Sequence, residues 1–164
     1  MAQASTQPAT MTGKSVTDPE VLAFMDKASE ALGYKLPAPK DVYSFALDLH
    51  TQNAIDGKKT ATTSWPIPKP LHWGIGDYSV GLSQAGKPAM IMRTLSFVEC
   101  RFGDVAEDFA LAEAEGDYQE YHDGHVEWYR RSDPNGHLFN DDSMVLCERF
   151  ECIYPRKGID PPTL

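Results

Sequence analysis

The sequence predicts a single α+β domain, and three observations carry that prediction. Its 164 residues suffice for one hydrophobic core and fall short of two. Apolar residues recur with helical spacing near the start, whereas β-branched and aromatic runs, broken by Gly and Pro, fill the middle and the end. The resulting order is helix, strands, two helices, strand, so the helices are segregated from most of the sheet instead of alternating with it. No internal repeat is present.

Residues 1–15 are rich in Ala, Ser, Thr and Gln and read as a disordered lead-in. An N-terminal helix and linker are expected over 16–40, a folded domain over 41–155 and a tail over 156–164. Thr17-Asp18-Pro19-Glu20 spells a capping box with Pro in the first turn, worth about 1 kcal/mol. Val21, Leu22, Met25, Ala28 and Leu32 form the helix stripe, and Gly33 stands where a left-handed cap is wanted. Pro37 and Pro39 mark the linker. Tyr43, Phe45, Leu47 and Leu49 alternate like a strand, and a helical turn before Gly57 is only weakly encoded.

The run after Lys59 favours a strand, and Trp65-Pro66-Ile67-Pro68-Lys69-Pro70 excludes any regular element. Tyr78, Val80 and Leu82 pair through a turn at Gln84-Ala85-Gly86-Lys87-Pro88 with a returning strand over 89–98. Asp104-Val105-Ala106-Glu107 opens a short helix that ends at Gly116, and Asp117-Tyr118-Gln119-Glu120 opens another. Asp123-Gly124 costs that helix about 1 kcal/mol of propensity and predicts a break or kink. A turn at Ser132-Asp133-Pro134-Asn135-Gly136 leads to a last strand over 144–154.

A formal charge of −9 excludes broad capture of duplex phosphate backbones, which relies on clustered Lys and Arg. A nucleoside or a short single strand of RNA, held by stacking and a few hydrogen bonds, fits better. No run of about eighteen apolar residues is available to span a membrane, and the start lacks the features of a secretory signal. Cys100, Cys147 and Cys152 lack CxxC spacing, so free thiols and a cytoplasmic location are expected.

Chemistry concentrates in Gly57-Lys58-Lys59-Thr60-Ala61-Thr62, a GxKxxT pattern followed by Thr63 and Ser64. In a flat strand Lys59 and Thr62 fall on opposite faces, so they converge only if the chain bends after Gly57. Otherwise Lys58 and Lys59 are solvated charges beside a strand. Glu115 sits at a helix C-terminus, where the dipole disfavours negative charge and raises a carboxyl pKa. In Glu148-Arg149-Phe150, Arg149 points away from its neighbours, toward a phosphate, a base or a structural carboxylate.

Tyr118, Tyr121, His125 and Trp128 recur at near-helical spacing, as core or as a stacking surface. His122 and His125 have the spacing of two metal ligands, with Glu115, Asp117 or Asp123 as oxygen donors, but HExxH and paired CxxC motifs are missing. No metal and no cofactor are therefore expected. His50, His72 and His137 stand without a visible partner. A phosphate loop fails because Gln52 replaces its first Gly, and Gly74-Ile75-Gly76 is followed by Ser79 where a dinucleotide site wants Gly.

Together, GxKxxT, the AxxEG pattern of Ala112-Glu113-Ala114-Glu115-Gly116 and Glu148-Arg149-Phe150 resemble the ASCH domain over roughly residues 43–154. The resemblance implies a PUA-like mixed β-barrel flanked by helices, with the first helix outside its core. It implies Lys59, Thr62 and Glu115 as catalytic residues, and Ser64, Arg149, His125 and Trp128 as substrate-binding candidates. The activity it implies is metal-independent removal of an acyl group from the exocyclic amine of a cytosine nucleoside. A ribonuclease or a non-catalytic RNA binder is the first alternative. The other is a protein-interaction module, for which the first helix and the acidic surface would matter most.

Overall fold

The computed structural model describes residues 14–135 and 138–156; the expected disordered segment up to residue 13, His137, Gly136 of the expected turn, and the tail beyond residue 156 lie outside them. Helix α1, Pro19–Leu32, is capped by Asp18 instead of Thr17. The Asp18 side chain accepts from the Glu20 backbone N–H at 2.8 Å, and Pro19 occupies the first turn, where its missing N–H is harmless. Gly33 ends the helix at φ 80°, a left-handed conformation that glycine adopts without steric cost.

The strand expected around residues 43–49 is divided. Strand β1 is only Asp41–Ser44, and Asp48–Ile55 forms a full helix, α2. This corrects the reading of a mere turn. The buried face of α2 consists of His50, Thr51 and Ala54, so it carries no apolar stripe to reveal it, while Leu49, which mimicked strand alternation, is 62% exposed.

Strands β2 (Ala61–Ser64), β3 (Tyr78–Leu82), β4 (Pro88–Arg101) and β5 (Met144–Tyr154) complete a five-stranded mixed sheet. Its order is β1-β3-β4-β5-β2, with β1 and β3 parallel and the other pairs antiparallel. The β4–β5 ladder shifts register between Ile91 and Met92 and again between Thr94 and Ser96. Such bulges bend and twist a sheet, and this one curls into a half-barrel. The domain is thus α+β, as expected.

Each face of the curl has its own core. On one face, Val21, Phe24, Met25 and Ala28 of α1 pack on Val42, Val80, Ile91 and Ile153; each large side chain so buried contributes about 1.5–3 kcal/mol. Farther along, Ala61, Val145 and Cys147 meet Phe109, Tyr121 and Tyr129 from α3 (Glu107–Ala112) and α4 (Tyr118–Ser132). The other face holds Tyr43, Phe45, Met90, Met92 and Phe150, closed by Ala54 of α2.

Asp117 and Glu120 form the expected capping box of α4. That helix runs unbroken through Gly124, contrary to the expected kink. Tyr121, His125 and Tyr129 are all buried on one face, and tertiary packing of that face outweighs the propensity cost of one glycine.

Candidate functional site

Lys59 is placed by the link from α2 to β2. Gly57, at φ 76°, turns the chain so that the N–H groups of Lys58 and Lys59 both donate to the Asn53 carbonyl, at 2.8 and 2.9 Å. Thr60 N–H then donates to the Ala112 carbonyl and Phe150 N–H to the Thr60 carbonyl, at 2.8 and 3.0 Å. So anchored, Lys59 turns inward and is 1% exposed. Lys58 stays in solvent, so the solvated reading holds for only one of the two lysines.

Inside, the Lys59 Nζ donates to the backbone carbonyl of Glu113 at 3.0 Å and to its Oε1 at 3.1 Å. It also lies 5.3 Å from the centre of the Phe45 ring, a favourable place for a cation. Glu113 and Glu115 come from the link between α3 and α4. Ala114 between them has φ 58° and Gly116 has φ 99°. A left-handed alanine costs about 1–2 kcal/mol, and here it brings both flanking carboxylates toward one point.

The other oxygen of Glu113 accepts a short hydrogen bond from the Thr63 hydroxyl. Since Thr63 has only that proton, the Tyr121 hydroxyl, 2.8 Å away, donates to Thr63. His125 Nδ1 is 2.7 Å from the Tyr121 carbonyl and donates to it. Its Nε2 faces Glu113 Oε2 at 3.4 Å and Glu115 Oε2 at 3.8 Å. His50 Nε2 is 3.3 Å from Glu115 Oε1, so a histidine that looked solitary in the sequence lies at the cluster.

The two carboxyls are driven apart electrostatically. Burial by itself would raise Glu113, but the Lys59 ammonium, then His125 and the Thr63 hydrogen bond, hold it well below the usual carboxylate range. Glu115 is pushed up to about 7 by burial and by the adjacent Glu113 charge. Burial and the Lys59 charge push His50 down to about 4. Paired carboxyls with opposed shifts are the pattern of an acid/base site.

Thr62 and Ser64 alternate with Thr63 along β2, and Thr62 stands opposite Glu148 in the β2–β5 ladder. Glu148 belongs to a second buried polar group. It accepts from Trp73 Nε1 at 3.3 Å and from the Thr94 hydroxyl at 2.6 Å, and burial pushes its carboxyl up to about 7. Asp41, 2.9 Å from His72 Nε2, is raised to about 6, again by burial.

Of the residues the sequence singled out, the structure brings Lys59, Glu115 and His125 together. Arg149 pairs with Asp108 at 3.0 Å, stacks on Phe109 and walls a groove of about 510 Å³ outside the cluster. Trp128 is a half-buried flank of the helical layer, under Arg131. His122 turns toward Asp141 at 2.7 Å and Asp123 at 3.1 Å, away from His125. Instead Glu113, Glu115 and His125 each offer a ligand atom within 4.8 Å of the others.

Sequence reasoning missed Thr63, Glu113 and His50 in this cluster. The AEAEG stretch, with two carboxylates one residue apart, carried a signal for Glu113; nothing local pointed to His50.

A family model described as the ASCH domain matches residues 43–154. The structure of an ASCH domain from Lactobacillus crispatus is 27% identical, with a TM-score of 0.59, over 66% of this chain and 72% of that one. A protein from Enterococcus faecalis superposes with a TM-score of 0.67 at 22% identity, over 82% and 90%. An ASCH protein from Zymomonas mobilis gives 0.50 at 15% identity, over 74% and 82%. No curated protein matches the chain. The motifs, the mixed half-barrel and these likenesses agree: the chain belongs to the ASCH domain family, a PUA-like family of RNA-binding domains.

Proposed function

We propose that the protein hydrolyses an amide on a nucleoside, removing an acyl group from the exocyclic amine of cytosine. The observation that supports this reading most is the buried chain of contacts from Lys59 through Glu113 to Thr63 and Tyr121. A hydroxyl that donates into a carboxylate is a nucleophile beside its base. Lys59, donating to two oxygens of Glu113, supplies positive charge where an oxyanion develops.

In this reading Thr63 Oγ1 attacks the acyl carbon and gives its proton to Glu113. His125 Nε2, between the two carboxylates, passes the proton to Glu115, whose Oε2 has no hydrogen-bond partner. The C–N bond breaks as the amine leaves with that proton. Water then cleaves the Thr63 ester by the reverse route, releasing the acid and restoring the hydroxyl. Side chains alone carry these steps, without a metal. General acid/base assistance of this kind supplies about 10²–10⁴ in rate.

A second reading is RNA binding or cleavage along the groove walled by Arg149, with Arg156 and the backbone at Gly57 and Thr60 on its lining. One experiment separates the two. Acetylcytidine and a mixed-sequence RNA are incubated in EDTA with wild type, Thr63→Val and Lys59→Ala, following acetate release and strand cleavage. Acetate release that is lost in both variants is expected. Strand cleavage without acetate release would replace the first reading with the second, and no turnover of either substrate would leave only binding.

A further inference from the structure

We propose that Glu113, Glu115 and His125 form a site for one divalent ion of the borderline d-block class, such as zinc or cobalt. The donor atoms are already gathered. His125 Nε2 is 3.4 Å from Glu113 Oε2 and 3.8 Å from Glu115 Oε2. An ion with bonds of about 2.0–2.2 Å places tetrahedral donors roughly 3.4 Å apart, so small side-chain rotations close the set.

The orientation of His125 is the stronger argument. Its Nδ1 proton is committed to the Tyr121 carbonyl, so Nε2 is the nitrogen that faces the two carboxylates, and an ion bound there takes the place of any proton on it. Metal-binding histidines are held in this way, by a backbone or carboxylate acceptor on the far nitrogen. That Nε2 is buried without a hydrogen-bond partner, and so are both oxygens of Glu115. Glu115 Oε1 faces His50 Nε2 at 3.3 Å, whereas His125 Nε2 and Glu115 Oε2 converge 3.8 Å apart; buried polar atoms without hydrogen bonds are unusual in a native fold, and a bound cation would satisfy both.

One imidazole and two carboxylates select borderline ions over magnesium or calcium, which take all-oxygen shells. Three protein ligands leave a fourth position open. Lys59 sits on Glu113 Oε1, the oxygen away from His125, so it orients that carboxylate without occupying the site. An ion here would hold the same two carboxylates and the same imidazole that proton transfer uses in the hydrolytic reading. Metal occupancy and turnover by that route are then mutually exclusive; the binding itself does not depend on that reading.

The test is Co²⁺ binding to the full chain after chelation and dialysis, by metal analysis and visible absorption. One Co²⁺ per chain is expected, with the d–d bands of a four- or five-coordinate centre, displaced by Zn²⁺ and not by Mg²⁺. Glu115→Gln and His125→Gln should each weaken binding by about ten-fold or more, whereas His122→Gln should not. Absence of those bands, or loss of binding in His122→Gln alone, would overturn the site. Should His125→Gln fail to fold, Zn²⁺ added to wild type with ¹⁵N-labelled histidine decides. A shift of His125 Nε2 with the Nδ1 proton retained supports the site, and an unmoved resonance refutes it. Acetate release by the metal-free protein, measured separately, reports on the hydrolytic reading alone.

Discussion

Replacing Glu148 by glutamine should make the protein more stable in alkaline solution and leave that advantage absent in acid. Glu148 is fully buried, and burial raises its carboxyl from an ordinary 4.5 to about 7. The folded state therefore holds a proton that the unfolded chain releases. Stability from this group is complete below 4.5, falls as pH rises, and is gone once pH passes the folded value. At roughly 1.4 kcal/mol for each pH unit between the two values, about 3 kcal/mol disappears. The substituted glutamine never ionises, and its amide can still accept from Trp73 Nε1 while the Thr94 hydroxyl turns to accept from it. Urea unfolding followed by tryptophan fluorescence at about pH 5 and about pH 9 gives four stabilities. The variant-minus-wild-type difference should grow by about 3 kcal/mol between the two conditions. Contributions from Glu113 and Glu115 are common to both proteins and cancel. A difference that stays constant would show that Glu148 does not hold its proton, and the reasoning from burial would fail.

Lys59→Ala removes the cation from a buried pair and should destabilise the fold by about 3–5 kcal/mol, measured by the same denaturation. Ala114→Gly should stabilise by about 0.5–1 kcal/mol, because relief of the left-handed strain exceeds the added freedom of the unfolded chain; a higher melting temperature checks it. Asp117→Ala should cost about 1 kcal/mol through loss of the α4 capping box, visible as a lower urea midpoint with unchanged slope.

What could be read from the sequence depended on whether local pattern and tertiary environment agreed. β5 carried its length in residues 144–154, and α4 announced its start in Asp117 and Glu120, because both signals are local. Helix α2 was hidden because His50, Thr51 and Ala54 are buried for their contacts and not for their hydrophobicity. At the site, GxKxxT pointed to Lys59, but whether Thr62 or Thr63 faces it depends on the turn after Gly57. The left-handed Ala114 broke helical periodicity in AEAEG, so spacing alone favoured Glu115 and passed over Glu113. Glycine permits the turn at position 57, whereas the angle at Ala114 is one its residue type does not favour.

The position of β2 in the sheet has a consequence for synthesis on the ribosome. As an edge strand, β2 pairs only with β5 among the described residues, so it waits for the whole stretch between Ser64 and Met144 to be translated. Meanwhile α1, β1, β3 and β4 already possess one another as partners. Nascent chains therefore acquire the layer that supports the fold first and the threonine-bearing strand β2 last. Arrest before Met144 would leave β2 without the strand it pairs with, although Glu113 and Phe45, the partners of Lys59, would already have been made.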